Sequence, residues 1–285
     1  DMEEKGYLKI RVHVYLNEDC LKEKERIKKE MSKNGMGLVQ VRGLKLFVDG
    51  SFGASSGALY EPYINDPKNY GLLRILPEKL NNLAKQADEM GMQLSIHAIG
   101  DRALTYALNA LSCTRNRFLR HRVEHIQLVN EEQLKKMKQL EVIAAIQPIF
   151  VSTDNPWAEK RLGRERIQLA YPLRRVVEKG IKVAGSSDCP VASADPFLGI
   201  YFAVSYKDLK GGELPDWVRK ERIGIKEALK IFTEGASYAL HENKGQIKQG
   251  MQADFIVLSE NPLQLSIQKI PSLRVLQTYL GGQLV

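Results

Sequence analysis

Four residues of this chain pair metal-ligand chemistry with a place at or near the end of an apolar, strand-like run: Lys45, His97, His125 and Asp188. His97 lies in Ser95-Ile96-His97-Ala98-Ile99-Gly100-Asp101, His125 closes Arg122-Val123-Glu124-His125, and Asp188 lies in Gly185-Ser186-Ser187-Asp188-Cys189-Pro190. Imidazole and carboxylate are good ligands for zinc and related divalent ions. In parallel α/β barrels, side chains at the C-terminal strand ends converge on one mouth. Taken singly, each residue has a plainer reading. A lone His on an apolar strand is more often a hydrogen-bonded core residue, and Asp188 before Cys-Pro can cap a turn. Alternation puts Lys45 on one strand face with Phe47 and Asp49, so a Lys45–Asp49 pair would satisfy it. His121 stands four before His125, a spacing that suits two zinc ligands on a helix. Val123 and its flanks favour a strand instead, with His125 alone at the end. His13 and His241 read as structural or exposed.

The elements that must position these residues alternate along the chain. Residues 8–16 alternate with period two, as a strand does, and the charged run 17–34 reads as a helix stopped by Gly35. Residues 43–50 form the next strand, followed by a Gly- and Ser-rich loop from 51 to 71. Pro77 suits a first helical position, and Leu80, Leu83, Ala84 and Ala87 make one stripe up to Gly91. Strands then read at 92–98, 122–127, 142–147 and 181–187, with helices at 102–113, 131–140 and around 226–232. A long insertion with helix-like stretches precedes Gly180. Six strands alternating with helices imply parallel pairing and crossover connections. A doubly wound sheet or a barrel accounts for this equally. The tail differs: 253–258 and 275–280 read as strands, and Gly281-Gly282 marks a hairpin. The pattern predicts an α/β unit over 1–240 and a small β segment over 241–285.

Composition bounds the function classes. The 285 residues are 44% apolar and 27% charged, enough for a real core. No run reaches the roughly 18 uncharged apolar residues a membrane helix needs. Lys plus Arg total 42 against 34 acids, a net charge of +8. The basic residues near 22–33 alternate with Glu, as on a solvated helix face. The densest patch, 115–122, comes with no nucleic-acid-binding motif, so no nucleic-acid partner is expected. Cys20, Cys113 and Cys189 are odd in number and far apart, which suits a reducing, cytoplasmic setting.

The joint pattern Lys, His, His, Asp on four strands resembles the amidohydrolase superfamily. The runs Leu44-Lys45-Leu46-Phe47-Val48-Asp49-Gly50-Ser51, His97-Ala98-Ile99-Gly100-Asp101, Arg122-Val123-Glu124-His125, Gln147-Pro148 and Ser187-Asp188-Cys189-Pro190-Val191 look like its amidohydrolase-3, YtcJ-like branch. The tail Gly245-Gln246-Ile247-Lys248-Gln249-Gly250-Met251-Gln252-Ala253-Asp254 resembles that branch's return to a small β-sandwich. The resemblance runs from about residue 8 to 285. It implies a TIM-type (β/α)8 barrel, with residues 8–16 as the third strand and 181–187 as the eighth. It further implies a divalent metal, zinc first, held by His97, His125 and Asp188, with a carbamylated Lys45 bridging two ions. Asp188 would be the catalytic proton carrier, and the reaction hydrolysis of an amide, formamide or cyclic C–N bond. The family's His-X-His pair occurs nowhere in this sequence. The expectation is therefore a C-terminal part of such an enzyme, with an incomplete barrel of strands 3–8 and weak or no activity alone.

Two rivals remain. Gly53-Ala54-Ser55-Ser56-Gly57 matches the Gly-X-Ser-X-Gly nucleophile elbow of serine hydrolases, with Asp188 and His241 in the expected order. That elbow needs a helix directly after the Ser, and Gly57, Pro62 and Pro67 interrupt the stretch. A non-catalytic small-molecule binder on the same barrel is the second rival. The expected partners are a small-molecule substrate and, through unpaired strand edges, another copy of the chain.

Overall fold

The computed structural model describes residues 2–285. Six parallel strands form one sheet: β1 (Val12–Leu16), β2 (Val39–Phe47), β3 (Gln93–Ala98), β4 (Arg122–His125), β5 (Ile143–Ile146) and β6 (Val183–Gly185). Their order in the sheet is their order in the chain. A doubly wound sheet starts in its middle and reverses direction, so this order decides for barrel-type winding. The sheet stays open, with β1 and β6 as its two edges.

Helices on the connections cover one face. Helix α1 (Lys24–Met31) follows a 3-10 turn at Glu18–Glu23, so the single helix expected over 17–34 is split. Pro77 opens α2 (Pro77–Glu89), where its missing N–H is harmless, and Leu80, Leu83, Ala84 and Ala87 are all buried. Helix α3 (Asp101–Ser112) follows β3, and α4 (Glu131–Gln139) starts on a reciprocal Asn130–Gln133 capping box. The insertion after β5 folds as α5 (Val151–Arg166) and α6 (Leu173–Glu178). Leu44, Leu46, Val48, Leu94, Ile96 and Val123 are buried in the resulting core.

Tyr15, Lys45, Gln93, Ser95, His97, Arg122 and Glu124 form a polar row across the strands. Parallel register aligns Lys45 with Ser95 and Ser95 with Arg122, then Phe47 with His97 and His97 with Glu124. The Arg122 Nε donates to Glu124 Oε1 at 2.6 Å, and Ser95 Oγ donates to the same oxygen at 2.7 Å. Arg122 also reaches the Tyr15 hydroxyl at 3.0 Å, and Tyr15 donates to Gln93. Gly43 is required on this face: a Cβ there would meet the Gln93 carbonyl oxygen at 1.9 Å.

The tail forms a three-stranded antiparallel sheet, β7 (Phe255–Leu258), β8 (Val275–Leu280) and β9 (Gln283–Leu284). Asp254 ties it to the chain before β1 through Arg11 at 2.7 Å. Partial burial pushes the Asp254 carboxyl up, but Arg11, the Gly281 N–H and Lys244 outweigh it and hold it at about 2. No helix among the described residues is long and apolar enough to cross a membrane.

Two histidines of the framework set an acid limit. His121 Nδ1 accepts from the Leu94 N–H at 3.0 Å, and His13 Nδ1 accepts from Arg42 at 3.2 Å. Burial lowers both to about 4, against an ordinary 6.5. Native imidazoles thus stay neutral while the unfolded chain takes up protons. Stability is full above about pH 6.5 and is lost as pH falls toward 4. His121→Gln keeps an acceptor for Leu94 but cannot titrate. Denaturant midpoints measured from pH 7 to 4 should fall less steeply in this variant, by about 2 kcal/mol over the range.

Candidate functional site

The structure brings Lys45, His97 and His125 to one end of the sheet. His97 is the fifth residue of β3, His125 the last of β4, and Asp188 follows β6 by three residues. The two imidazole rings lie edge to face, 4.5 Å apart. Each ring has one nitrogen engaged. His97 Nε2 is 2.8 Å from the Gly50 carbonyl oxygen and 3.3 Å from Asp49 Oδ1. His125 Nδ1 is 2.8 Å from Gln147 Oε1, and Gln147 is itself held by donating to Ser186 Oγ at 2.7 Å. A carbonyl on one nitrogen fixes the tautomer and leaves the other with a free lone pair. His97 Nδ1 and His125 Nε2 are therefore the available ligand atoms. Burial, then the neighbouring His97, lowers His125 to about 3, so it is neutral and able to bind a metal at any physiological pH.

Lys45 and Asp188 complete the electrostatics. Lys45 Nζ stands 4.9 Å over the Phe47 ring. Burial pulls its ammonium down from the ordinary lysine range, with Glu124 and Asp188 opposing. Asp188 is at the open rim, yet the surrounding protein pushes its carboxyl up, partly offset by Lys45. Two of the four residues sit in left-handed backbone: His125 at φ 76° and Asp188 at φ 56°. Non-glycine residues in that region carry strain of order 1–3 kcal/mol, which clusters at functional sites.

The Lys45–Asp49 pair, the plainer alternative for Lys45, does not form. Asp49 is fully buried and accepts three backbone N–H groups: Ala58 at 2.8 Å, Gly100 at 2.9 Å and Ile99 at 3.1 Å. His121 is not beside His125 on a helix but in the turn before β4. His241 binds the Leu119 carbonyl, away from the four residues. The serine-elbow reading fails on its own requirement, since no helix follows Ser55 before α2. Trp157 and Arg161, both on α5, clasp the 51–71 loop: the Arg161 guanidinium lies 4.5 Å over Trp157 and donates to the Phe52 carbonyl.

The sequence did not mark Asp49 and Gln147 as the groups that orient the two imidazoles, nor Phe150 as a neighbour of the site. Phe150 stacks on His125 at 6.0 Å. Asp49 shares a face with Lys45 by alternation, but the three N–H groups it collects come from two distant loops. Among the described residues, no group of three His, Cys, Asp or Glu stands together so that it could hold a metal ion. A cavity of about 740 Å³ lies between the tail and the approach to β1, lined by Arg11, Phe232 and Phe255 among others, and touches none of the four residues.

Removing the Asp49 carboxylate leaves three N–H groups without an acceptor. Asp49→Ala should cost about 3–5 kcal/mol in urea unfolding. An equal midpoint for the variant would show that these bonds do not hold the two loops together.

The family model of the amidohydrolase family matches residues 1–285. The putative amidohydrolase YtcJ of Bacillus subtilis is 32% identical over 283 residues, covering 98% of this chain and 53% of that protein. The N-substituted formamide deformylase of Arthrobacter pascens is 26% identical over 257 residues, covering 87% of this chain and 46% of the other. A crystal structure of an uncharacterized metal-dependent hydrolase from Pyrococcus horikoshii superposes with a TM-score of 0.84 at 31% identity, over 93% of this chain and 54% of that one. The chain spans about half the length of these relatives. With matching profile, fold and near-complete coverage of its own length, this chain belongs to the amidohydrolase family.

Proposed function

We propose that this chain carries the C-terminal half of a metal-dependent hydrolase centre acting on C–N bonds of amides or formamides. The observation behind this reading is the pair of imidazoles, His97 and His125, each oriented by a carbonyl acceptor and each left with one free nitrogen at the same strand ends. That donor chemistry fits a divalent ion, zinc being the commonest for imidazole and carboxylate ligands. His97 and His125 would supply two of its ligands, and Asp188, from the rim, a third once the centre is complete. Such an ion polarises a carbonyl and lowers the pKa of bound water toward about 7.

The chain's own residues supply the remaining chemistry. Asp188 accepts a proton from the attacking water at its carboxylate and returns it to the departing nitrogen. Its raised pKa makes it a better base than an ordinary aspartate. Lys45, whose ammonium is disfavoured by burial, is suited to carbamylation, which converts a costly buried cation into an oxygen ligand. Gln147 and the Gly50 carbonyl keep the imidazoles in their ligand tautomers. The absence of a ready three-donor cluster among the described residues favours a second reading, a barrel that binds small molecules without turnover.

Elemental analysis of this chain beside the Bacillus relative separates the two. The hydrolase reading expects near-stoichiometric metal in the relative and little here, with the bound fraction lost in His97→Ala and in His125→Ala. No metal in either protein would overturn it. Where hydrolysis of a formamide is measurable, Asp188→Asn should lower the turnover rate at least a hundredfold without a comparable loss of metal. Unchanged turnover would remove Asp188 from the reaction.

A further inference from the structure

A second open cleft, of about 690 Å³, lies between α6 and the chain from 206 to 224. Arg174, Arg219, Lys220 and Arg222 line it together with Tyr206, and the acid on its wall is Asp216. Lys45, His97, His125 and Asp188 take no part in it. The four cations are not equally committed. Arg174 donates to Glu178 at 2.6 Å, and Arg219 donates to Glu213 at 3.0 Å and to Asp216. Lys220 has no carboxylate partner among the described residues; its Nζ donates to the carbonyl and to the side-chain oxygen of Gln168, both at 2.8 Å. The Arg222 guanidinium lies 3.6 Å over the Tyr206 ring and has no hydrogen-bond or ion-pair partner among the described residues. Both chain neighbours of Arg222 are anchored. The Glu221 carboxylate is buried and claimed by Arg175 at 2.6 Å, and the Ile223 N–H donates to the Ala203 carbonyl at 2.9 Å. The stack and these anchors hold the guanidinium in place while its N–H groups stay unfilled.

We propose that this cleft binds the diphosphate group of a small molecule, with Arg222 and Lys220 as its principal contacts. A guanidinium fork gives two parallel hydrogen bonds to phosphate oxygens, and a lysine ammonium adds a compact point charge. Two cations whose charge no carboxylate offsets match a multiply charged anion better than a single carboxylate, and the cleft has room for two phosphoryl groups. Arg174 and Arg219 add a weaker pull, because Glu178, Glu213 and Asp216 already hold them. Tyr206 is covered on one face by Arg222, so the cleft offers charge rather than an apolar packing surface. Arg222 also lines a narrow cavity that reaches His125 and Gln147, which places the anion site one side chain away from the imidazole pair. The binding itself needs nothing from the hydrolase reading.

The test is binding at constant ionic strength. Pyrophosphate, sulfate and ADP are titrated into the 285-residue chain, and the backbone amide signals of Ile223 and Gly224 report where they bind. Pyrophosphate should saturate one site and bind about tenfold more tightly than sulfate. Arg222→Gln should weaken pyrophosphate about tenfold and Arg222→Lys by less, since the lysine keeps the charge but loses the fork. Lys220→Gln, at an exposed position, should weaken it about threefold, and Lys29→Gln on the remote helix α1 should leave it unchanged. ADP binding at least as tightly as pyrophosphate assigns the site to a phosphate ester, and tighter pyrophosphate assigns it to the free anion; both support a diphosphate site. Equal affinity for pyrophosphate and sulfate, an unchanged Kd in both Arg222→Gln and Lys220→Gln, or an equal loss in Lys29→Gln would each overturn it.

Discussion

The buried carboxylate of Asp49 is the constraint on which the site depends. It collects N–H groups from Ala58 in one loop and from Ile99 and Gly100 in another, and lies 3.3 Å from His97 Nε2. A buried charge of this kind is tolerable only when its lone pairs are filled. The two loops cannot move apart without stranding it. The 51–71 loop, the entry to α3 and the ring of His97 are thereby locked to the end of β2. Gly50, whose carbonyl sets the His97 tautomer, follows Asp49 directly.

The polar face of the sheet solves a related problem lower down. Glu124 is buried, and Arg122 and Ser95 both serve its Oε1. Arg122 in turn stacks over Tyr15 at 4.2 Å and reaches its hydroxyl. Strands β1, β3 and β4 are cross-braced by these bonds where a smaller, apolar packing would close the space. Lys45 is the exception on this face. It stands between Glu124 and Asp188 without a dedicated ion pair, and burial works against its charge. A lysine so placed is available for chemistry in a way that Arg122 is not.

Rigidity and openness are divided between the strands and the rim. His97 and His125 are held by short, directional bonds to Gly50 and Gln147. Asp188 and Arg74 are exposed at the rim. His125 and Asp188 both occupy left-handed backbone, so the strain is borne at the ends of β4 and just beyond β6 rather than inside the sheet.

How much of this was legible in the sequence follows from the range of each interaction. Period-two and period-3.6 patterns located all six parallel strands and the main helices, because those patterns record which face each element buries. Pro77 and Gly91 marked helix ends by local chemistry, whereas the Asn130–Gln133 box came with the structure. The four candidate residues were legible as ligand types at strand ends, and their family resemblance was carried by short contiguous runs. The patterns alone did not give strand order, since winding direction is set by how crossovers stack; the family resemblance implied a barrel, and the sheet, with its strands in chain order, agrees with it. The partners of Asp49 were hidden for a similar reason: alternation reports only that Lys45 shares its face, whereas the three N–H groups that claim the carboxylate arrive from residues 58, 99 and 100. The free nitrogens of His97 and His125, and the unpaired guanidinium of Arg222 over Tyr206, likewise exist only once distant segments have been brought into contact.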